Sequence, residues 1–327
     1  MKNKEVSVVI PTYNMSKYIE KVIQAIMKQN YRPKEIIIVN DGSSDDTKEI
    51  LHKLMITTKS IRPIDQENKG AVEATNLGIK NAQSEFILLI DADAILEESI
   101  WINEVIKEFE DEKVGAVGGQ ILTANKGNIW AKIMGYDLEY RYNRIKSKYV
   151  HHVSTCATMY RKKAFEEVGL FDKSYRYGYD HDMSYRLNNR GYKLIIKKEI
   201  SVKHFWKETL RGYIKEQYYS AKGILNLINK YPNKKRGNEV AGIREYIQTP
   251  LTLISLIFLI SSLFYKDLFI IFMLSFGIIL VDRFIQAINI FKIKKDLECL
   301  FFQPFIHILR NITWSIATIT YFLRINR

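Results

Sequence analysis

The chain changes character at Pro250. Downstream it reads Leu251-Thr-Leu-Ile-Ser-Leu-Ile-Phe-Leu-Ile-Ser-Ser-Leu-Phe264 and, after Lys266-Asp267, Leu268-Phe-Ile-Ile-Phe-Met-Leu-Ser-Phe-Gly-Ile-Ile-Leu-Val281. Upstream, from Met1 to about Lys235, apolar runs alternate with charge as in a soluble protein. Residues 246–265 and 268–291 each approach the roughly 20 residues that a bilayer span requires. Asp282 and Arg283 cut the second uninterrupted run to about 14 residues, a length that also fits a re-entrant or buried helix. A third apolar segment, 300–323, carries His307 and Arg310 and fits an interfacial position as well as a span. Lys292, Lys294 and Lys295 favour a cytoplasmic loop after the second segment. The expectation is an α/β domain over residues 1–235, ending in a basic interfacial helix at 207–235, followed by an all-α membrane-associated region at 236–327.

The formal net charge is +13, which suits nucleic acid, an anionic membrane surface or phosphorylated substrates. Position decides among them. Lys197, Lys198, Lys203, Lys207, Arg211, Lys215, Lys222, Lys230, Lys234, Lys235 and Arg236 gather just before the apolar tail. Basic residues beside a membrane segment are drawn to anionic headgroups. Nucleic-acid binding has no use for the apolar hairpin and is set aside. Cys156 and Cys299 are the only cysteines, too few and too unlike in context for a disulfide framework or a zinc site. Met1-Lys-Asn-Lys4 runs straight into a strand-like segment, so no signal peptide is expected and the folded domain is placed on the cytoplasmic face of the cell membrane.

The first hundred residues alternate strand and helix signals, the pattern of a parallel sheet with crossover helices. Strands are expected at Val6–Ile10, Glu35–Val39, near Ile61–Ile64, and at Phe86–Ile90. Helices are expected at about 16–29, from Thr47, and at 71–81. Beyond residue 115 the alternation loosens, with a strand near Val114–Gly119 and helices near 130–146, 182–189 and 212–229. In open parallel sheets ligands bind beyond the carboxyl ends of strands, and Asp41 and Asp91 both stand at such ends.

Asp91-Ala92-Asp93 is the central chemical signal. Two carboxylates two residues apart can face one divalent ion once the chain leaves the pleat. Such an ion, Mg²⁺ or Mn²⁺, neutralises charge on a departing diphosphate. Taken alone, the same triplet also reads as two solvated turn acids, Pro11–Asn14 as a strand-ending turn, and Asp41 as a helix cap.

In order along the chain, Val8-Val-Ile-Pro11-Thr12-Tyr13-Asn14, Val39-Asn40-Asp41-Gly42-Ser43-Ser44-Asp45-Asp46-Thr47 and Asp91-Ala92-Asp93 resemble the family 2 glycosyltransferases of the GT-A fold. So does Gly178-Tyr179-Asp180-His181-Asp182-Met183-Ser-Tyr-Arg186, against that family's G-E-D-x-D-L-x-x-R stretch. The resemblance covers the N-terminal two thirds. It implies a Rossmann-like mixed sheet flanked by helices and an inverting, metal-dependent sugar transfer from a nucleotide-sugar, with UDP as the nucleotide the resemblance points to and GDP as the alternative.

The resemblance also assigns roles. Thr12, Tyr13 and Asp41 would line the nucleoside pocket, with Pro11 and Asn14 beside them. Asp91 and Ala92 would lie near ribose and diphosphate, and Asp93 would bind the metal. Lys69 or the Gly70 amide would contact a phosphate; many relatives carry Arg where Thr75 stands. Thr155, Cys156 and Ala157 would lie on the acceptor side with Tyr179, which replaces the family's Glu. Asp180 falls on the general base, while Asp182 suits the first turn of a helix electrostatically. His204 stands where relatives often carry a His completing the metal or phosphate site, and imidazole suits Mn²⁺ better than Mg²⁺. Gln217-Tyr-Tyr-Ser220 does not reproduce the Q-x-x-R-W of processive synthases, so transfer of one sugar per acceptor is expected. The acceptor would be a lipid-linked saccharide or polyprenyl phosphate among membrane lipids. The alternatives are a polysaccharide acceptor and a non-catalytic nucleotide-sugar-binding membrane protein.

Overall fold

The structure is a computed structural model that describes residues 4–232, 238–240 and 243–323. The expected domain boundary at 235/236, with Lys234, Lys235 and Arg236, lies outside the described residues. The chain forms two compact units: residues 1–124 with 146–205, and residues 125–145 with 206–327.

The first unit is built on a nine-stranded mixed sheet. Its parallel half is β1 (Val6–Thr12), β2 (Glu35–Asp41), β3 (Ile61–Gln66) and β4 (Phe86–Ile90), in the order β3-β2-β1-β4. The runs of Ile, Val and Leu in β1, β2 and β4 are buried almost throughout, as expected of parallel strands covered on both faces. Helices α1 (Ile19–Met27), α2 (Thr47–Thr57) and α3 (Ala71–Asn81) make the crossovers. Gly78 lets α3 lie close on the sheet, since a Cβ there would meet Val9 Cγ1 at 2.3 Å.

The other half is built from β5 (Ala94–Leu96), β6 (Val114–Thr123), β7 (Tyr149–Val150), β8 (Ala157–Arg161) and β9 (Lys193–His204), with α4 (Trp101–Glu108). Helix α5 (Ile129–Asn143) lies in the second unit, and α6 (Lys162–Val168) and α7 (Tyr179–Asn189) return to the first. Strand β8 runs antiparallel to β4, with Ile90 opposite Ala157, and antiparallel to β6. Strand β9 then lies parallel to β6, and β5 closes the row with Ala94 opposite His204. These registers bring the ends of β1, β2, β4 and β9 and the start of β8 to one edge of the sheet.

The second unit is helical: α5, α8 (Leu210–Lys230), α9 (Ile243–Ser261), α10 (Leu268–Lys294) and α11 (Leu297–Phe322). Side chains cap three of these starts: Asn128 accepts from Trp130 N and Ala131 N, Thr209 from Gly212 N, and Asp296 from Cys299 N. Ile133, Tyr136, Tyr213, Ile290, Cys299 and Ile306 form an apolar core. Beside it Asp137 is buried, receiving Gln286 Nε2 at 2.5 Å and facing Arg141 at 3.2 Å and Arg310 at 3.4 Å. Ile254, Ile257, Ile260, Ile270, Leu274 and Ile278 are exposed on the outside.

Helix α10 runs unbroken through Asp282 and Arg283. The acid and base answer each other there: Arg283 Nε donates to Asp282 Oδ2 at 3.0 Å, and Arg244 Nε and Gln248 Nε2 donate to the same carboxylate at 2.8 Å each. The charge pair therefore does not shorten the helix to the 14-residue apolar run. At 1.5 Å per residue its 27 residues span about 40 Å, more than the roughly 30 Å hydrocarbon core. Among the described residues it is the one helix long and apolar enough, by length and composition, to cross a bilayer. The apolar part of α9 is shorter, Ile247–Ser261, and both α9 and α11 contain an internal proline, Pro250 and Pro304.

Candidate active site

The site lies in the first unit, beyond the carboxyl ends of the parallel strands. On its donor side two loops are stitched together. Asn14, with a positive φ of 54°, donates its amide to Ser43 Oγ at 3.0 Å and accepts Ser44 N at 2.8 Å. Met15 N donates to Thr47 Oγ1 at 2.8 Å and Ser16 N to Asp45 Oδ2 at 3.1 Å. Asp45 Oδ1 also accepts Thr47 Oγ1 at 2.5 Å. Burial raises the Asp45 pKa, but these hydrogen bonds outweigh it and bring it down to about 2.

Asp41 is 3% exposed, and its carboxylate is spent on the neighbouring loop. Oδ1 accepts Lys69 N at 2.8 Å and Gln66 Nε2 at 2.5 Å, while Oδ2 accepts Gly70 N at 2.8 Å. The Gly70 amide is thus directed at Asp41, which leaves the exposed Lys69 side chain as the cationic donor of this loop. Thr75 turns its hydroxyl back to the Ala71 carbonyl at 2.8 Å. Next to Pro11, Tyr13 is 46% exposed, whereas Thr12 Oγ1 is buried with no hydrogen-bond partner.

Asp91-Ala92-Asp93 turns between β4 and β5. Asp91 N donates to the Cys156 carbonyl at 2.9 Å, and Phe205 N to the Asp93 carbonyl at 3.0 Å, so the turn is held by the start of β8 and the end of β9. Asp93 Oδ1 lies 3.3 Å from His204 Nε2. Potential ligand atoms of Asp91, Cys156 and His204 all lie within 4.8 Å of one another. Burial, with the Asp91 and Asp93 carboxylates adding to it, pushes the Cys156 thiol well above its ordinary pKa. The oxygen and imidazole donors of Asp93, Asp91 and His204 fit Mn²⁺ by type, and ligands at right angles on such an ion sit about 3 Å apart. The protonated thiol is not needed in that set.

Facing this turn is the amino end of α7. Gly178 takes φ 84° to start the helix, putting Asp180 and Asp182 in its first turn. Asp182, fully buried, pairs with Arg186 Nε at 2.8 Å, and Arg186 donates to the carbonyls of Val168 at 2.6 Å, Gly169 at 3.0 Å and Leu170 at 2.9 Å. Its task is to hold that segment. Asp180 instead meets two imidazoles: Oδ1 is 3.1 Å from His181 Nδ1, and Oδ2 is 3.7 Å from His152 Nε2. Burial raises its pKa, but the charge and hydrogen bonds of His181, with His152, overcome that and hold the carboxyl below the usual range. Tyr179 has its ring edge-on to Phe171 and its hydroxyl 3.5 Å from Thr155 Oγ1. Burial raises its pKa, and the charges of the Asp91 and Asp180 carboxylates add to that rise.

The candidate residues from Pro11 to His204 lie on loops and strand ends at one sheet edge, except Tyr179 and Asp180, which stand in the first turn of α7. The sequence reading missed His152, His181 and Ser184 as part of this site. The available signals were the His151-His152 pair just after a short strand and the placement of His181 between two aspartates.

A mixed sheet of this order, with an aspartate pair and a histidine at the ends of β4 and β9, defines the class by architecture: the GT-A fold. Residues 7–169 match the model of glycosyl transferase family 2, and the chain belongs to that family. Over 223 residues it is 31% identical to a poly-beta-1,6-N-acetyl-D-glucosamine synthase of Staphylococcus aureus, covering 67% of this chain and 54% of that one. Over 135 residues it is 36% identical to the glycosyltransferase GlyG of Streptococcus pneumoniae, covering 40% of this chain and 44% of that one. The chain spans about half the length of these curated relatives. Among solved structures, the mannosyltransferase PcManGT of Pyrobaculum calidifontis, in complex with GDP-Man and Mn²⁺, superposes with a TM-score of 0.63 at 16% identity over 98% of this chain and 88% of that one. S. aureus TarS 1–349 gives 0.50 at 18% identity, over 68% and 66%. At these identities the likeness is one of fold.

Proposed function

We propose that this chain transfers a single sugar from a nucleotide-sugar, with UDP as the nucleotide, to an acceptor presented at the cytoplasmic face of the cell membrane. The observation that carries the reading is that Asp93 lies against His204 in the turn after β4 while the nearby first turn of α7 carries the carboxylate Asp180 beside two imidazoles. The names of two similar proteins, one holding GDP-Man and Mn²⁺ and one making an N-acetylglucosamine polymer, support a nucleotide-sugar donor and a divalent ion.

Asp93 and His204 would hold the ion with Asp91 beside it, and the ion when bound supplies positive charge to the departing diphosphate. The stitched loops at Asn14 and Asp45, and the loop that Asp41 secures, shape the nucleoside side. Lys69 adds charge toward phosphate. Asp180 takes the proton from the acceptor hydroxyl as that oxygen attacks the anomeric carbon opposite the nucleotide, giving one inversion. Its depressed pKa keeps it ionised at working pH.

A held base favours a hydroxyl acceptor. A polyprenyl phosphate brings an oxygen with no proton to remove, so of the two lipid-borne acceptors the lipid-linked saccharide fits better. The exposed apolar face of α10 and the basic helix α8 support delivery from membrane lipids. A polysaccharide acceptor is the second reading, favoured by the relative named as a polymer synthase. Product length separates them. With detergent-solubilised enzyme, one added sugar per acceptor supports the first reading, and a ladder of products supports the second. Asp180→Asn should lose about 10²–10⁴-fold in turnover with a hydroxyl acceptor; unchanged turnover would remove Asp180 from the mechanism.

A further inference from the structure

Gly169, Leu170 and Phe171 follow α6 without joining a helix or strand, so their backbone groups need partners from elsewhere. Two side chains supply them. From α7, Arg186, held by Asp182, donates to the carbonyls of Val168, Gly169 and Leu170. From α3, Asn76 pairs with the next residue: its Nδ2 donates to the Phe171 carbonyl at 2.8 Å, and its Oδ1 accepts Phe171 N at 3.0 Å. An amide side chain matches a peptide group in this way because it offers one acceptor and its donors side by side. At the surface, Lys173 Nζ meets Glu73 of α3 at 2.6 Å. The segment 168–173 is therefore tied to α3 at one side and to α7 at the other.

The buried Phe171 ring carries that fix to the base. It stands edge-on to Tyr179, with centroids 5.6 Å apart at 88°, and is backed by Phe165 at 5.8 Å and Tyr160 at 6.2 Å. Edge-to-face pairs have a preferred geometry and contribute beyond the area they bury. Tyr179 opens α7, and Asp180 is the next residue. Helix α3 in turn begins at Gly70, in the loop that Asp41 secures. Asn76, itself buried, stands within two turns of that loop and reaches the base through Phe171 and Tyr179.

We propose that Asn76 is a positioning residue for Asp180: by clamping Phe171 it sets the first turn of α7, through Tyr179, at a fixed place relative to the donor loop. The effect on transfer rests on the reading of Asp180 as base. In-line attack needs the acceptor oxygen, its base and the anomeric carbon aligned, and a misplacement of about 1 Å can cost about 10²-fold in rate. The donor loop is secured separately by Asp41, so donor binding does not depend on Asn76. An aspartate could not replace it, since a carboxylate has no proton to give the Phe171 carbonyl.

The test uses the full chain in detergent. Asn76→Ala and Phe171→Leu should lower UDP release from a panel of UDP-sugars, with Mn²⁺ and a membrane-lipid extract, by about 10–10²-fold. The affinity for UDP with Mn²⁺, measured by calorimetry, should stay as in wild type. Hydrogen exchange should quicken at the amides of residues 179–182 and not in β1 or β4. Circular dichroism and thermal unfolding screen the variants for folding. Phe171→Leu keeps both backbone bonds to Asn76 and serves if Asn76→Ala fails to fold. In an Asp180→Asn background the same substitutions should cost little further turnover, because residues acting as a unit are not additive. Three results overturn the proposal: UDP binding weakened as much as turnover, unchanged exchange at 179–182 in a folded variant, or an equal loss of turnover in the Asp180→Asn background. If Asp180→Asn alone keeps full turnover, the reading of Asp180 as base falls, while quickened exchange at 179–182 still upholds Asn76 as the clamp on α7.

Discussion

His204 Nε2, at the last residue of β9, lies 3.3 Å from Asp93 Oδ1 in the turn after β4. Residues over a hundred positions apart meet because β8 and β6 lie between β4 and β9 in the sheet and return β9 parallel to β4. The pair makes a prediction about metal use. Asp93→Asn should lower turnover by 10²-fold or more, while His204→Ala should chiefly raise the Mn²⁺ concentration needed for half-maximal rate. Titrating Mn²⁺ against rate for both variants checks this; an unchanged Mn²⁺ requirement in His204→Ala would remove it from the ion.

Asp41 is a keystone of the donor loop. Asp41→Asn replaces one acceptor oxygen with an NH₂ facing the Lys69 and Gly70 amides or Gln66. A buried donor left unmatched costs about 1–3 kcal/mol. Thermal unfolding of Asp41→Asn in detergent should show that loss, together with a raised donor KM. A raised KM with unchanged stability would mean that Asp41 touches the donor directly instead.

Asp45 makes the stitched loops sensitive to acid. Its folded pKa, about 2, lies below the ordinary aspartate value of about 4, so its stabilising contribution is complete above about 4 and is lost as pH falls through 2. Asp45→Asn should therefore be less stable than wild type at pH 6, and the gap should close between pH 4 and pH 2. Thermal unfolding over that range decides the point; a gap independent of pH would show that the hydrogen bonds to Asp45 do not depend on its charge.

Much of the fold was legible because burial is written into composition. The runs Val6–Ile10, Glu35–Val39 and Phe86–Ile90 can only be covered strands, and the structure has them in β1, β2 and β4. Strand β9 was missed because Lys193, Lys197, Lys198 and Lys203 interrupt its apolar residues; Lys197 is satisfied by Glu104 at 3.2 Å and Glu108 at 3.0 Å, pairings no local pattern contains. Asp41 and Asp91 were legible from their places at strand ends, and Asp180 only from the motif around it. The imidazoles around Asp180 were not, since His152 reaches it from a segment 28 residues earlier through tertiary folding alone. Helix α5 reads as an ordinary aromatic-rich helix, and nothing local shows that Asp137 and Lys132 find their partners on α10 and α11.

Within α10, Asp282 and Arg283 answer each other's charge. Asp282→Leu leaves the buried Arg283 without its carboxylate and should cost about 3–5 kcal/mol, whereas Asp282→Leu/Arg283→Leu should recover the part owed to Arg283, with Arg244 and Gln248 still lacking their acceptor. Thermal unfolding in detergent compares the two. Equal losses would mean that the pair does not act as a unit.

The most direct test of the account is nucleotide release from a panel of UDP- and GDP-sugars by the detergent-solubilised chain, with Mn²⁺ or Mg²⁺ and a membrane-lipid extract. Asp93→Ala and Asp180→Asn run beside it. The account predicts extract-stimulated turnover of one UDP-sugar, abolished by EDTA and lost in both variants. Metal-dependent donor binding without turnover on any acceptor, or turnover that survives Asp180→Asn, would contradict it.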